Sequence, residues 1–322
     1  MKRSNKVVWI DDNPDRGRTA GEIGADFINV HGVDLAQTVE ALLNQPRPAL
    51  VILDHILDKT NSKNPLFKRG STIAEAIKEK WPGCPVVGVT NADKAKKIDV
   101  RTRRTYDALF PFFHFGKYVD RIDAIKRGFA VIARTRAQNA RDLVKFLKPP
   151  DDEIERLVAA LPDDLKESFR DASVASRLYS WIDRLMDRPG FLYDKLWAAT
   201  LLGLNEAGFE KVTEHFKKGK YAGVFGAADE PRWWSSRLSE LLYARCKPEP
   251  DEISWIVGRR LPGIKKEHYS RCYSCGKEFP EMIAYLDAVS DQRRAMHLDC
   301  TVLHPRYKRE LYFEDIRMMR EG

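Results

Sequence analysis

The sequence predicts an α/β fold for its first half, a doubly wound sheet of five parallel strands, followed by a mostly α-helical region and a small cysteine-bearing module. Two observations carry the first part. Short β-branched apolar runs alternate with helically spaced segments, and the runs are continuous, as in strands covered on both faces. A third observation, a Cys/His cluster near residue 300, sets the last segment apart. Taken in order, Val7–Ile10 reads as a strand stopped by Asp11-Asp12-Asn13-Pro14, and Thr19–Ile23 as weakly helical. Phe27–Val30 is the second strand, Leu35–Leu43 a helix, and Leu50–Leu53 a third strand ending at Asp54. Ser71–Lys80 is helical, Pro85–Val89 the fourth strand and Leu109–Phe115 the fifth. The spacing Ile122, Ile125, Phe129, Ile132 predicts one long helix from Arg121 to about Lys148.

Lys148-Pro149-Pro150-Asp151-Asp152 breaks that helix, and Lys247-Pro-Glu-Pro-Asp251 marks a second linker. The expected domains are therefore 1–148, 149–250 and 251–322. Between the linkers six segments have helical spacing, and Trp181, Trp197, Trp233 and Trp234 there, with Trp255 just past the second linker, read as core side chains. The middle region carries no Walker, HExxH or kinase signature. A mean hydropathy of −0.46 with no apolar run near ~18 residues argues against a membrane-spanning helix. The amino end has too short an apolar stretch for a signal peptide, and five cysteines in 322 residues make no disulfide scaffold. A cytoplasmic location is expected.

The net charge of +8 is unevenly placed. Residues 1–148 carry 27 Lys and Arg against 17 Asp and Glu; residues 149–270 carry 19 against 21, and the last 52 carry nine of each. A basic nucleic-acid module at the carboxyl end is disfavoured.

In an open α/β sheet, functional groups gather at the carboxyl ends of the strands. Those ends deliver Asp11 and Asp12, then Asp54, then Thr90, with Lys117 after the fifth run. Converging carboxylates repel unless a hard cation shares them, which suits Mg²⁺; a hydroxyl and an ammonium beside them suit a phosphoryl group. This set, in this order, resembles the receiver domain of two-component response regulators, over residues 5–130 or so. The resemblance implies a flavodoxin-like sheet with Asp54 as phosphoacceptor in a phosphorelay from a histidine kinase. It also implies Mg²⁺ on Asp11, Asp12, Asp54 and the Ile56 carbonyl, with Thr90 and Lys117 on the phosphoryl oxygens. Three features depart from the family. The loop from Asp58 to Arg69 is long, Tyr118 follows the lysine where a proline is usual, and His114 takes the position of the switching aromatic.

Cys272-Tyr-Ser-Cys275-Gly-Lys and His297-Leu-Asp-Cys300 supply four ligands of the types that tetrahedral zinc takes, similar to one site of a LIM-type or treble-clef finger. Full coordination by Cys272, Cys275, His297 and Cys300 predicts a structural Zn²⁺, with His268 and His304 as spare ligands. Cys84 and Cys246 read as core filler.

The leading reading is a signalling protein that is not an enzyme beyond receiver chemistry. Phosphorylation of Asp54 switches protein contacts of the helical and zinc region, with a histidine kinase and a protein partner or homodimer as partners. The alternative is a phospho-regulated DNA or RNA binder using Lys94, Lys96, Lys97, Arg101, Arg103 and Arg104. A nuclease or other catalytic effector in the middle region is the third reading and has no motif behind it.

Overall fold

The computed structural model describes residues 5–61, 68–91, 98–187, 190–278, 282–287, 292–297 and 300. The chain forms two compact units. One comprises residues 1–146, 161–180 and 227–229; the other comprises 147–160, 181–226 and 230–322. The Pro-rich linker near 148 therefore lies where the first unit gives way to the second, but residues 161–180 belong again to the first. The second linker marks no such division.

The first unit is built on five parallel strands: β1 (Val7–Asp11), β2 (Ala25–Asn29), β3 (Leu50–Asp54), β4 (Val86–Thr90) and β5 (Ala108–Pro111). Their order is β2-β1-β3-β4-β5, a flavodoxin-like arrangement with its switch point between β1 and β3. Every residue of β1, β3 and β4 is buried, which explains why those strands read as unbroken apolar runs. Alternate side chains serve opposite faces. Val8, Ile10, Val51, Leu53 and Val86 share one core with Leu35, Val39 and Leu42 of α2 (Leu35–Leu43) and Ile73, Ala74 and Ile77 of α3 (Gly70–Lys80). Trp9, on the opposite face, packs its ring 4.7 Å from that of Phe115.

Among the described residues up to Lys145, the other helices are α1 (Arg16–Glu22), α4 (Val100–Arg103), α5 (Val119–Thr135) and α6 (Ala140–Lys145). The single long helix expected after Arg121 is two. The predicted stripe of Ile122, Ile125, Phe129 and Ile132 is buried, but Arg136 turns to φ 44°, a conformation no α-helix continues through. Asn139 then caps α6, its Oδ1 accepting from the Asp142 N–H at 2.9 Å. The fifth strand is also shorter than its apolar run. It ends at Pro111, and Phe112–Tyr118 forms a 3₁₀ turn that carries Lys117.

The second unit buries Trp197, Phe209, Phe216, Trp233, Leu238 and Leu242 in one core, with Trp181 and Trp234 also buried. Cys272, Met282, Ile283, Ala284 and Met296 belong to the same core. The cysteine-bearing segment therefore shares its apolar packing with the helices before it. Its hairpin, β6 (Met282–Asp287) and β7 (Gln292–His297), is antiparallel, with Met282 opposite His297. No described helix is long and apolar enough to cross a membrane.

Candidate functional site: an acidic strand-end pocket and a Cys/His cluster

Parallel register sets the first site. Ile10 pairs with Leu53 and Asp54 with Val89, so Asp11, Asp54 and Thr90 end three neighbouring strands on one edge of the sheet. Asp12 follows directly. The carboxylates of Asp11, Asp12 and Asp54 are all buried, and ligand oxygens from the three lie within 4.8 Å of one another. A cavity of about 180 Å³ opens on Asp12 and Asp54, lined also by Asn13, Arg16, Ile56, Asp58, Lys59, Thr90 and Asn91; Asp11 lies buried just behind it.

Three carboxylates this close are held by donors from every side. Asp11 accepts from the Asn13 N–H at 2.8 Å and from Trp9 Nε1 at 3.3 Å. Asp12 accepts from the Lys59 N–H at 2.7 Å, and the Ile56 N–H donates to Asp54. The strongest partner is Arg16. Asn13 and Pro14 turn the chain so tightly, with the Arg16 N–H on the Asn13 carbonyl at 3.1 Å, that the Arg16 side chain returns over the strand it has just left. Its Nη1 donates to Asp11 Oδ2 at 2.9 Å and lies 3.5 Å from Asp54 Oδ1. The guanidinium rests 4.0 Å from the centre of the Phe112 ring, a cation–π contact that fixes its plane.

Burial and the neighbouring Asp11 charge raise the Asp54 pKa to about 7, against the lowering pull of Arg16. Burial likewise raises that of Asp11. Beside Asp54, buried His55 meets the Tyr106 hydroxyl through Nδ1 at 3.1 Å. Gly70 lies beneath the same turn, where a Cβ would stand 2.2 Å from the Asp54 carbonyl oxygen.

Of the residues singled out from sequence, Asp11, Asp12, Asp54, Ile56 and Thr90 come together at this pocket. Lys117 is exposed on the 3₁₀ turn beyond β5 and is not among the residues that line the cavity. Arg16, which sequence reasoning passed over, is the buried cation there. Its only signal was a basic residue one turn past the acidic pair. Residues 62–67 of the long loop, the His114 side chain, Lys94, Lys96, Lys97 and His304 lie outside the described residues. Arg101, Arg103 and Arg104 are exposed on and beside α4.

The second site joins Cys272, Cys275, His297 and Cys300, whose ligand atoms also lie within 4.8 Å of one another. Gly276 takes φ +71° and donates its N–H to the Cys272 carbonyl at 2.8 Å, closing the first pair into a knuckle. The hairpin brings His297 across, with Nδ1 3.2 Å from Cys275 Sγ and 3.8 Å from Cys300 Sγ. Burial works to raise the Cys272 pKa, but N–H donors from His297, Cys275 and Ser274 outweigh it and lower the value. Burial and the two neighbouring thiols push Cys300 up to about 11. Three sulfurs and an imidazole nitrogen at this spacing form a donor set suited to zinc. His268 is not part of it; its Nδ1 accepts from the Lys265 N–H at 2.9 Å.

No family model matches the chain, and no curated protein matches it. Among solved structures it is similar to NtrX from Brucella abortus, at 17% identity and a TM-score of 0.32. That alignment covers 48% of this chain and 39% of the other, so it spans well under half of NtrX.

Proposed function

We propose that the chain is a response-regulator-like signalling protein in which Asp54 accepts a phosphoryl group from a histidine kinase. The observation that supports this best is the convergence of Asp11, Asp12 and Asp54 beside a small cavity that Asp12, Asp54 and Thr90 line, at the carboxyl edge of a β2-β1-β3-β4-β5 sheet. An Asp54 oxygen would attack the phosphorus of the donor's phosphohistidine. The P–N bond breaks, the imidazole leaves with the electron pair, and an acyl phosphate forms on Asp54. Three buried oxygen donors fit Mg²⁺, which Asp11, Asp12, Asp54 and the Ile56 carbonyl would hold and which would offset the charge of carboxylates and phosphoryl group. Thr90, at the end of β4 and on the pocket wall, donates its hydroxyl to a phosphoryl oxygen.

In the second unit, Cys272, Cys275, His297 and Cys300 hold a structural Zn²⁺, since all four positions are taken by protein. The added charge on Asp54 biases the surface of the first unit and with it the choice of protein partner. The protein is then a switch and not an enzyme beyond its own phosphotransfer. Incubation of wild type and Asp54→Ala with Mg²⁺ and a small-molecule phosphodonor tests the reading. Labelling of wild type alone is expected. Equal labelling of both, or of neither, refutes the phosphoacceptor.

A further inference from the structure

Resting on that phosphoacceptor reading, the pocket raises a further question, namely which cation meets the phosphoryl oxygens. The resemblance assigns this to Lys117, which is exposed on the 3₁₀ turn past β5 and lines no part of the cavity. Lys59 reaches the pocket through its backbone N–H, bonded to Asp12, and is itself exposed. Arg16 is different. It lines the cavity, is 7% exposed, and places Nη1 3.5 Å from Asp54 Oδ1 and 2.9 Å from Asp11 Oδ2.

One donor of this guanidinium has no acceptor. Arg16 Nε is buried and without a hydrogen-bond partner among the described residues. A buried donor left unpaired is a cost the fold must carry, and a guanidinium cannot shed its proton to relieve it. An oxyanion on Asp54 would give this guanidinium a further acceptor, since its Nη1 already lies 3.5 Å from Asp54 Oδ1. The planar fork of nitrogens matches two oxygens of a phosphoryl group in a way an ammonium does not. Phe112, 4.0 Å beneath the guanidinium, holds it in place.

We propose that Arg16 is the residue that binds the phosphoryl oxygens on Asp54, in place of Lys117. In the unphosphorylated protein it serves as counter-ion to Asp11 and Asp54. On phosphorylation it keeps its place at the mouth of β1, and Nη1, already 3.5 Å from Asp54 Oδ1, meets the new anion.

Beryllium fluoride, a non-covalent phosphoryl mimic, tests this on the full chain with Mg²⁺ present, its uptake read by fluorine NMR. Wild type is expected to bind, with Lys117→Gln and Lys59→Gln within about twofold of it and Arg16→Gln weaker by about tenfold or more. Arg16→Lys, which keeps the charge but loses the fork, falls between. The exposed Lys117→Gln variant is decisive even where Arg16→Gln folds poorly: a tenfold loss there, with wild type binding, overturns the assignment to Arg16 alone. No uptake by wild type overturns the phosphoacceptor reading beneath it.

Discussion

Asp54 is held in a place that opposes its charge, and removing that charge should stabilise the protein when no metal is present. Its pKa stands at about 7, raised from 3.8 first by burial and then by Asp11. A carboxyl raised in the fold binds a proton that the unfolded chain has already lost. Between pH 4 and 7, then, the folded state holds more protons than the unfolded one, and stability falls as pH rises. The penalty is fully present above the folded pKa and vanishes below about pH 4. The shift corresponds to about 4 kcal/mol. Water at the pocket mouth screens part of it, so about 2 kcal/mol is the working expectation. Asp54→Asn keeps the shape and removes the charge. With chelator at pH 8 it should melt higher than wild type by roughly 4–8 °C, taking the usual conversion for a unit of this size. At pH 5.5 the gap should narrow, because wild-type Asp54 is then mostly protonated. Saturating Mg²⁺ should narrow it too, by relieving the same repulsion. Circular dichroism melts at the two pH values, with and without metal, measure all four quantities. A variant no more stable than wild type at pH 8, or a gap that does not change with pH, would refute the reasoning.

Two further outcomes follow from the packing. Gly70→Ala places a methyl 2.2 Å from the Asp54 carbonyl oxygen and 2.9 Å from the Tyr106 hydroxyl; both neighbours are fixed, so a loss of about 3 kcal/mol is expected in urea unfolding, and a loss under about 1 kcal/mol would contradict the close approach. Cys272→Ser should remove zinc from purified protein, measured by elemental analysis, and lower the melting point of the second unit, because the thiol serves both the metal site and the apolar core. Unchanged zinc content would refute the ligand set.

Sequence alone determined a good deal here. Three strands buried on both faces must be apolar throughout, so their order in the chain and parallel sense were legible from Val7–Ile10, Leu50–Leu53 and Pro85–Val89. Each run ends in a polar residue, and a parallel sheet puts those ends on one edge, which is why Asp11, Asp54 and Thr90 could be grouped before any distance was known. The two Cys/His pairs were legible for the same kind of reason, since two ligands in one tight turn are a local feature. What the tertiary structure decided is what local pattern does not encode. An apolar stripe runs on past Arg136, although the backbone turns there to φ 44° and ends the helix. Leu109–Phe115 is apolar enough for a strand, yet β5 stops at Pro111 and Lys117 sits on a 3₁₀ turn. Arg16 looks like a surface residue of a short helix until the Asn13–Pro14 turn folds it back over β1 against Asp11, Asp54 and Phe112. Periodicity reports which side of an element is buried; which charge meets which is set by strand pairing between residues dozens of positions apart, and only the folded chain brings those together.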